Sequence, residues 1–122
     1  MTNKEFGKKL EERTRACAIR IIRLSMLLPN TVEGKIIRNQ LTKAGSSIGA
    51  NYREANRSRS NADFKNKIKI CESESNETCY WLEISEELKW CNSDELKPVL
   101  IEGNELLAIF TSISNNLTPK VL

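Results

Sequence analysis

Apolar residues return along the chain in alternating steps of four and three, the spacing that lays one stripe along an α-helix. From about Lys4 to Leu28 the stripe is Leu10, Thr14, Cys17, Ile21, Leu24 and Leu28, with Phe6 one turn ahead. Lys8, Lys9, Glu11, Glu12, Arg13, Arg15 and Arg20 fall off it, on the face left to solvent. Pro29 stops this segment, because proline has no N–H and its ring disfavours helix in the residue before it. A second helix is predicted over 31–56, with Asn30 and Glu33 as its capping pair. Its stripe is Ile37, Leu41, Ala44, Ile48, Tyr52 and Ala55, and its middle, Ala44-Gly45-Ser46-Ser47-Ile48-Gly49-Ala50, is small. A glycine inside a helix costs about 1 kcal/mol relative to alanine. Two of them predict that another backbone comes close.

A third helix is predicted over 61–90, opened by Ser60 with Asp63. Phe64, Ile68, Cys71, Ser75, Thr78, Leu82 and Ser85 keep the rhythm, and Ile70, Trp81, Ile84 and Leu88 widen it. Asn92-Ser93-Asp94-Glu95 reads as a turn and a new cap, its acids at the positive end of the helix dipole. The fourth helix, 94–115, carries Leu96, Leu100, Leu107 and Phe110, with Ile109 and Ile113 beside them. Pro98 is tolerable only near its start, and Pro119 cannot extend it, which leaves a loose tail to Leu122. Four amphipathic helices with short connections predict an all-α fold, an antiparallel up-and-down four-helix bundle in one domain over 1–122.

Composition narrows the function classes. The chain has 122 residues and no histidine. The commonest general base and metal ligand are therefore missing, and so are the Ser-His-Asp triad and the Glu-x-x-His pairs of di-iron bundles. Cys17, Cys71, Cys79 and Cys91 show no C-x-x-C spacing. They read as reduced, buried apolar residues of a cytoplasmic protein, with no metal site and no cofactor. No stretch is apolar enough to span a membrane: Ile19 to Leu28 is broken by Arg20 and Arg23. Charge is lopsided, with 16 Lys/Arg and 6 Asp/Glu in residues 1–70 against 3 and 10 in residues 71–122. Such a split fits a polyanion-binding face, or basic and acidic helices that pair.

Residues 28–82 carry a specific pattern. Leu28-Pro29 is followed by Gln40-Leu41-x-Lys43-Ala44-Gly45-Ser46-Ser47-Ile48-Gly49-Ala50-Asn51-Tyr52-x-Glu54-Ala55, then Arg57-x-x-Ser60-x-x-Asp63-Phe64, then Glu74-Ser75-x-Glu77-Thr78-x-Tyr80-Trp81-Leu82. This resembles the four-helix bundle family named after proteins encoded in intervening sequences of bacterial 23S ribosomal RNA genes. Gly49 and the pair Glu54-Ala55 depart from the commonest family residues, as a subfamily would. The resemblance implies a four-helix bundle, a homopentameric ring in related members, and little catalysis. A related accessory protein of diversity-generating retroelements binds nucleic acid and works with a reverse transcriptase.

Three groups of side chains follow. Ser46, Ser47, Asn51 and Glu54, facing Ser75 and Glu77, form a polar set expected to tie the second and third helices by hydrogen bonds. Reading Glu54 instead as a general base lacks an activated nucleophile beside it. Arg53, Arg57 and Arg59 with Lys65, Lys67 and Lys69 flank the second connection, and make a candidate site for RNA or DNA phosphates. Tyr80, Trp81, Ile84 and Trp90 exceed what one stripe buries, and predict an interface between copies of the chain, a pentamer by the resemblance. Two functions remain open: a non-enzymatic nucleic-acid-binding accessory protein, and a structural or interaction module whose ring is the working surface.

Overall fold

The structure, a computed structural model, describes residues 2–117. Four helices follow one another: α1 (Asn3–Ser25), α2 (Val32–Ala55), α3 (Asn61–Glu87) and α4 (Ser93–Leu117). The tail expected to be loose, from Thr118 to Leu122, lies outside the described residues, as does Pro119.

Each helix starts where a side-chain oxygen meets a free N–H of the first turn. The Thr2 hydroxyl accepts from Glu5 N at 3.1 Å, and Ser60 from Asp63 N at 3.0 Å. For α2 the cap is Thr31, which accepts from Gly34 N at 3.0 Å, one residue later than the Asn30–Glu33 pairing predicted. Gly34 packs against the Pro29 carbonyl with no room for a Cβ, so the turn itself fixes the start. Asn92 Oδ1 accepts from Asp94 N at 3.0 Å ahead of α4. Pro98 stands sixth in α4 and removes the N–H that would reach the Asp94 carbonyl.

α1, α2 and α3 end short of their predicted ends, while α4 runs to Leu117, past the predicted 115. α1 stops at Ser25, before Pro29, and α3 at Glu87 rather than Trp90. Lys89 takes a left-handed conformation, φ 57°. Trp90 N then bonds Ser85 O at 3.1 Å and Lys89 N bonds Glu86 O at 3.0 Å, the Schellman closure of a helix C-terminus.

Neighbouring helices run antiparallel, because contacts descend one helix as they climb the next. Gly45 meets Ile21 and Gly49 meets Thr14 across the α1–α2 seam. Across α2–α3, Cys71 Sγ bonds Ile48 O at 3.5 Å and Lys67 bonds Glu54. Gly103 of α4 lies against Cys79 of α3. Arg13 closes the α1–α4 seam with a fork on Glu102, Nε and Nη2 donating at 2.8 and 2.7 Å. The predicted stripes of α1 and α3 are the buried ones, apart from the exposed Phe6 ahead of the α1 stripe and the half-buried Phe64, and they meet Leu41, Ile48 and Tyr52 of α2. In α4 the buried row is Leu96, Val99, Gly103, Leu106 and Phe110, while Leu100 and Leu107 are half-buried at its flank. The row turns inward at Gly103, which the α4 pattern of large residues passed over. Tyr52 and Phe110 meet edge to face, centroids 5.5 Å apart.

Candidate nucleic-acid interface

The bundle's polarity follows from its topology. The first connection and the α3–α4 connection share one end; the start of α1, the α2–α3 connection and the end of α4 share the other. Charge divides by hairpin as well: residues 1–57 hold 12 Lys/Arg against 5 Asp/Glu, and residues 58–117 hold 6 against 11.

All six predicted basic residues lie at or near the α2–α3 end, but around the bundle they separate into three sectors. Arg53 and Arg57 face α1 and are 64% and 68% exposed. Lys67 lies on the α2–α3 seam, its ammonium 2.9 Å from Glu54 Oε2, and that hydrogen bond raises its pKa. Lys65 stands two heptads before Cys79, hence on the α4 side of α3, and Lys69 continues that row. Arg59 is exposed in the connection. Arg59, Lys65 and Lys69 form no ion pair among the described residues.

What gathers with Arg53 and Arg57 is a set of charged α1 residues outside the predicted basic cluster. Lys4, Lys8 and Arg57 line a depression floored by Gly7, and Arg15 and Arg53 line the next one, floored by Ala18, Gly49 and Ala50. The two share Glu11 and form one groove along the α1–α2 seam. Glu54 on its rim is already paired with Lys67. Glu11 Oε1 stands 3.8 Å from both Arg53 Nε and Arg57 Nη1, and its Oε2 accepts from Asn56 Nδ2 at 2.9 Å. Five cations thus face one otherwise unneutralised carboxylate. The floor is shallow because it is made of residues with little or no side chain. Helical spacing explains the assembly: positions 4, 8, 11 and 15 share one face of α1, and 53 and 57 share one face at the end of α2. Only the antiparallel pairing puts those faces side by side, and no short window of sequence shows it.

The polar set behaves differently from the expectation. Ser46 and Ser47 both donate to the Lys43 carbonyl, at 3.3 and 2.6 Å, and Asn51 donates to Ser47 O at 2.8 Å. Ser75 returns to Cys71 O at 2.7 Å, and Thr78 to Glu74 O at 2.7 Å. Each satisfies itself on the preceding turn of its own helix, as hydroxyl and amide groups in helices do. Glu54 with Lys67 is the one member of the set that crosses to another helix. Burial, and after it the charge of Glu77, pushes up the pKa of Glu74.

The aromatic surplus is smaller than expected. Trp81 and Trp90 pack against the core and Ile84 is half-buried, so of these four residues Tyr80, 54% exposed, is the one left outside. Exposed apolar side chains gather instead at the end opposite the basic groove: Met26, Leu27, Val32, Ile36 and Leu88, with Met26 and Val32 more than 70% exposed. Three of the four thiols, Cys17, Cys71 and Cys79, are buried, and Cys91 is half-buried. Burial pushes Cys17 and Cys79 up to about 11 and Cys71 up to about 12. Among the described residues no group of His, Cys, Asp and Glu is arranged to hold a metal, and no helix is long and apolar enough to cross a membrane.

Comparison with known proteins agrees with this architecture. No curated protein matches the chain. A crystal structure from Bacteroides thetaiotaomicron VPI-5482, a protein of unknown function from the S23 ribosomal protein family, superposes with a TM-score of 0.78. It is 33% identical, over 85% of this chain and 96% of that one. The profile described as 23S rRNA-intervening sequence protein matches residues 8–112, which takes in all but the outer ends of the bundle, and the chain belongs to that family.

Proposed function

We propose that this protein is a non-catalytic nucleic-acid-binding protein that holds the phosphodiester backbone of RNA or DNA in the α1–α2 groove. The groove carries the reading: Lys4, Lys8, Arg15, Arg53 and Arg57 line one continuous seam whose floor is glycine and alanine. Lys and Arg supply charge and forked hydrogen bonds to phosphate oxygens, and a shallow floor lets a strand come near them. The groove holds no aromatic side chain, so contacts go to the backbone and binding is indifferent to base sequence. Arg59, Lys65 and Lys69 stand on other faces and add long-range attraction. The setting that fits reduced, buried thiols is the cytoplasm.

A second reading concerns assembly. The apolar end, with Met26, Leu27, Val32, Ile36 and Leu88 exposed, is surface of the kind that associates. Copies joined there, as a pentamer or another ring, would repeat the groove and raise avidity. Light scattering tests this part separately: a monomer of 13.9 kDa removes it.

Binding is tested by fluorescence anisotropy with two single-stranded RNA oligonucleotides of unrelated sequence across a salt titration. Equal affinities and a linear fall of log K with log salt are expected. Absence of binding at low salt overturns the proposal.

A further inference from the structure

Within that groove, and resting on the reading of it as a phosphate-binding surface, one carboxylate has an unusual set of neighbours. Glu11 is 27% exposed, and three donors converge on it. Arg53 Nε and Arg57 Nη1 both stand 3.8 Å from Oε1, and Asn56 Nδ2 donates to Oε2 at 2.9 Å. At 3.8 Å the arginines feel the charge but make no hydrogen bond to it. The Arg53 guanidinium makes no hydrogen bond among the described residues, and Arg57 gives only Nη1 to the Arg53 carbonyl, at 3.2 Å. Most of their N–H groups are therefore free. The hydroxyl of Tyr52, a residue only 3% exposed, lies on the same side of the seam as Asn56, beside Gly7. The donors thus converge on a carboxylate too small to engage both forks.

We propose that Arg53, Arg57 and Asn56 form a phosphate-oxyanion site, and that the Glu11 carboxylate occupies it in the free protein. A phosphate is tetrahedral and larger, with two or more oxygens to share. It reaches both guanidiniums at hydrogen-bond distance while the Glu11 side chain turns out to solvent. Glu11 then sets the affinity of the groove. It competes with every entering phosphate and keeps the arginines aligned when none is present.

The test compares Glu11→Gln with Glu12→Gln, which removes the same charge from the next, exposed residue of α1. Glutamine keeps an oxygen for Asn56, so the fold is retained. Two probes are used: a dodecauridylate RNA by anisotropy, and inorganic pyrophosphate by its effect on the melting temperature. Glu11→Gln is expected to bind the RNA roughly three- to tenfold more tightly, the worth of two exposed ion pairs, and Glu12→Gln less than twofold. The gain is expected to vanish when Arg53→Gln and Arg57→Gln are added, and pyrophosphate is expected to raise the melting temperature of Glu11→Gln more than that of the wild type. Where the wild type binds RNA, equal gains in the two glutamine variants, or unchanged or weaker binding by Glu11→Gln, overturn the site. Where the wild type binds RNA and Arg53→Gln with Arg57→Gln weakens it, the groove reading survives that failure. Where no variant binds RNA but pyrophosphate still favours Glu11→Gln, the oxyanion site stands and the nucleic-acid reading falls.

Discussion

Gly45 of α2 sits so close to Ile21 of α1 that a Cβ built on the glycine stands 2.6 Å from Ile21 Cγ2. Ile21 is fully buried and has nowhere to go. One turn on, a Cβ at Gly49 would stand 3.0 Å from Thr14 Oγ1, which is held by hydrogen bonds to the carbonyls of Leu10 and Glu11. These glycines let α1 and α2 touch along the seam that carries the basic groove.

Substitution there opposes two effects. Alanine returns about 1 kcal/mol of helix propensity, while overpacking a filled core costs about 1–3 kcal/mol. Gly45→Ala should lose about 1 kcal/mol net, and Gly49→Leu about 2–3 kcal/mol, because its larger side chain has no open space on the Thr14 side. A thermal melt in which both match the wild type would falsify the close seam.

Lys89 holds a left-handed conformation that costs a residue with a Cβ roughly 1–2 kcal/mol. Glycine is the usual occupant of that position in a Schellman closure. Lys89→Gly is therefore expected to stabilise the protein by about 1 kcal/mol and to raise the melting temperature by roughly 3–5 °C for a domain of this size. A lowered melting temperature would mean that the α3–α4 connection depends on the lysine side chain.

The Arg13–Glu102 fork ties the first and last helices, and Glu105 stands 3.4 Å from the same guanidinium. The hydrogen bond from Arg13 holds the Glu102 carboxyl below its ordinary value of 4.5. A carboxylate depressed in the folded state adds stability that is present above the ordinary value and lost as pH falls through the folded one. Glu102→Gln should cost about 1–2 kcal/mol at pH 7, screening at the one-third-exposed arginine included. That difference should shrink below about pH 4. Urea denaturation of both proteins at pH 7 and pH 3 measures it; a constant gap across that range speaks against the ion pair.

Thiol accessibility checks the core. Cys17, Cys71 and Cys79 are buried and Cys91 is half-buried. A thiol-reactive dye at pH 8 should label Cys91 in the native protein and all four cysteines in denaturant. Rapid native labelling of Cys71 would contradict the α2–α3 packing.

The bundle was legible because its information is local. The stripe from Leu10 to Leu28 and the one from Ile68 to Ser85 need only the helix period, and Ser60 with Asp63 only the capping rule. Misreadings arose where two elements decide together. The α2 start moved to Thr31 because Gly34 packs on the Pro29 carbonyl. The α4 row turned inward at Gly103 because Cys79 is the neighbour. The proposed groove is half legible in the sequence. Arg53 and Arg57 stand in the predicted basic set, but Lys4, Lys8, Glu11 and Arg15 join them only through antiparallel pairing across about 45 residues of chain. The hydroxyls of Ser46, Ser47 and Ser75 look like an interhelical network in sequence, yet the carbonyl one turn back is always nearer.

The central claim, that phosphates are held in the α1–α2 groove, is tested most directly by two triple variants of equal charge. One replaces Lys8, Arg53 and Arg57 with Gln, and the other replaces Arg59, Lys65 and Lys69 with Gln. Both lower the net charge by the same amount, so long-range attraction changes alike. Loss of three groove contacts should flatten the log–log salt dependence of single-stranded RNA binding by about 2, at about 0.7 for each contact. The second variant should keep the wild-type slope. Equal slopes in the two variants would show that the protein attracts nucleic acid by overall charge, and that the groove holds no phosphate.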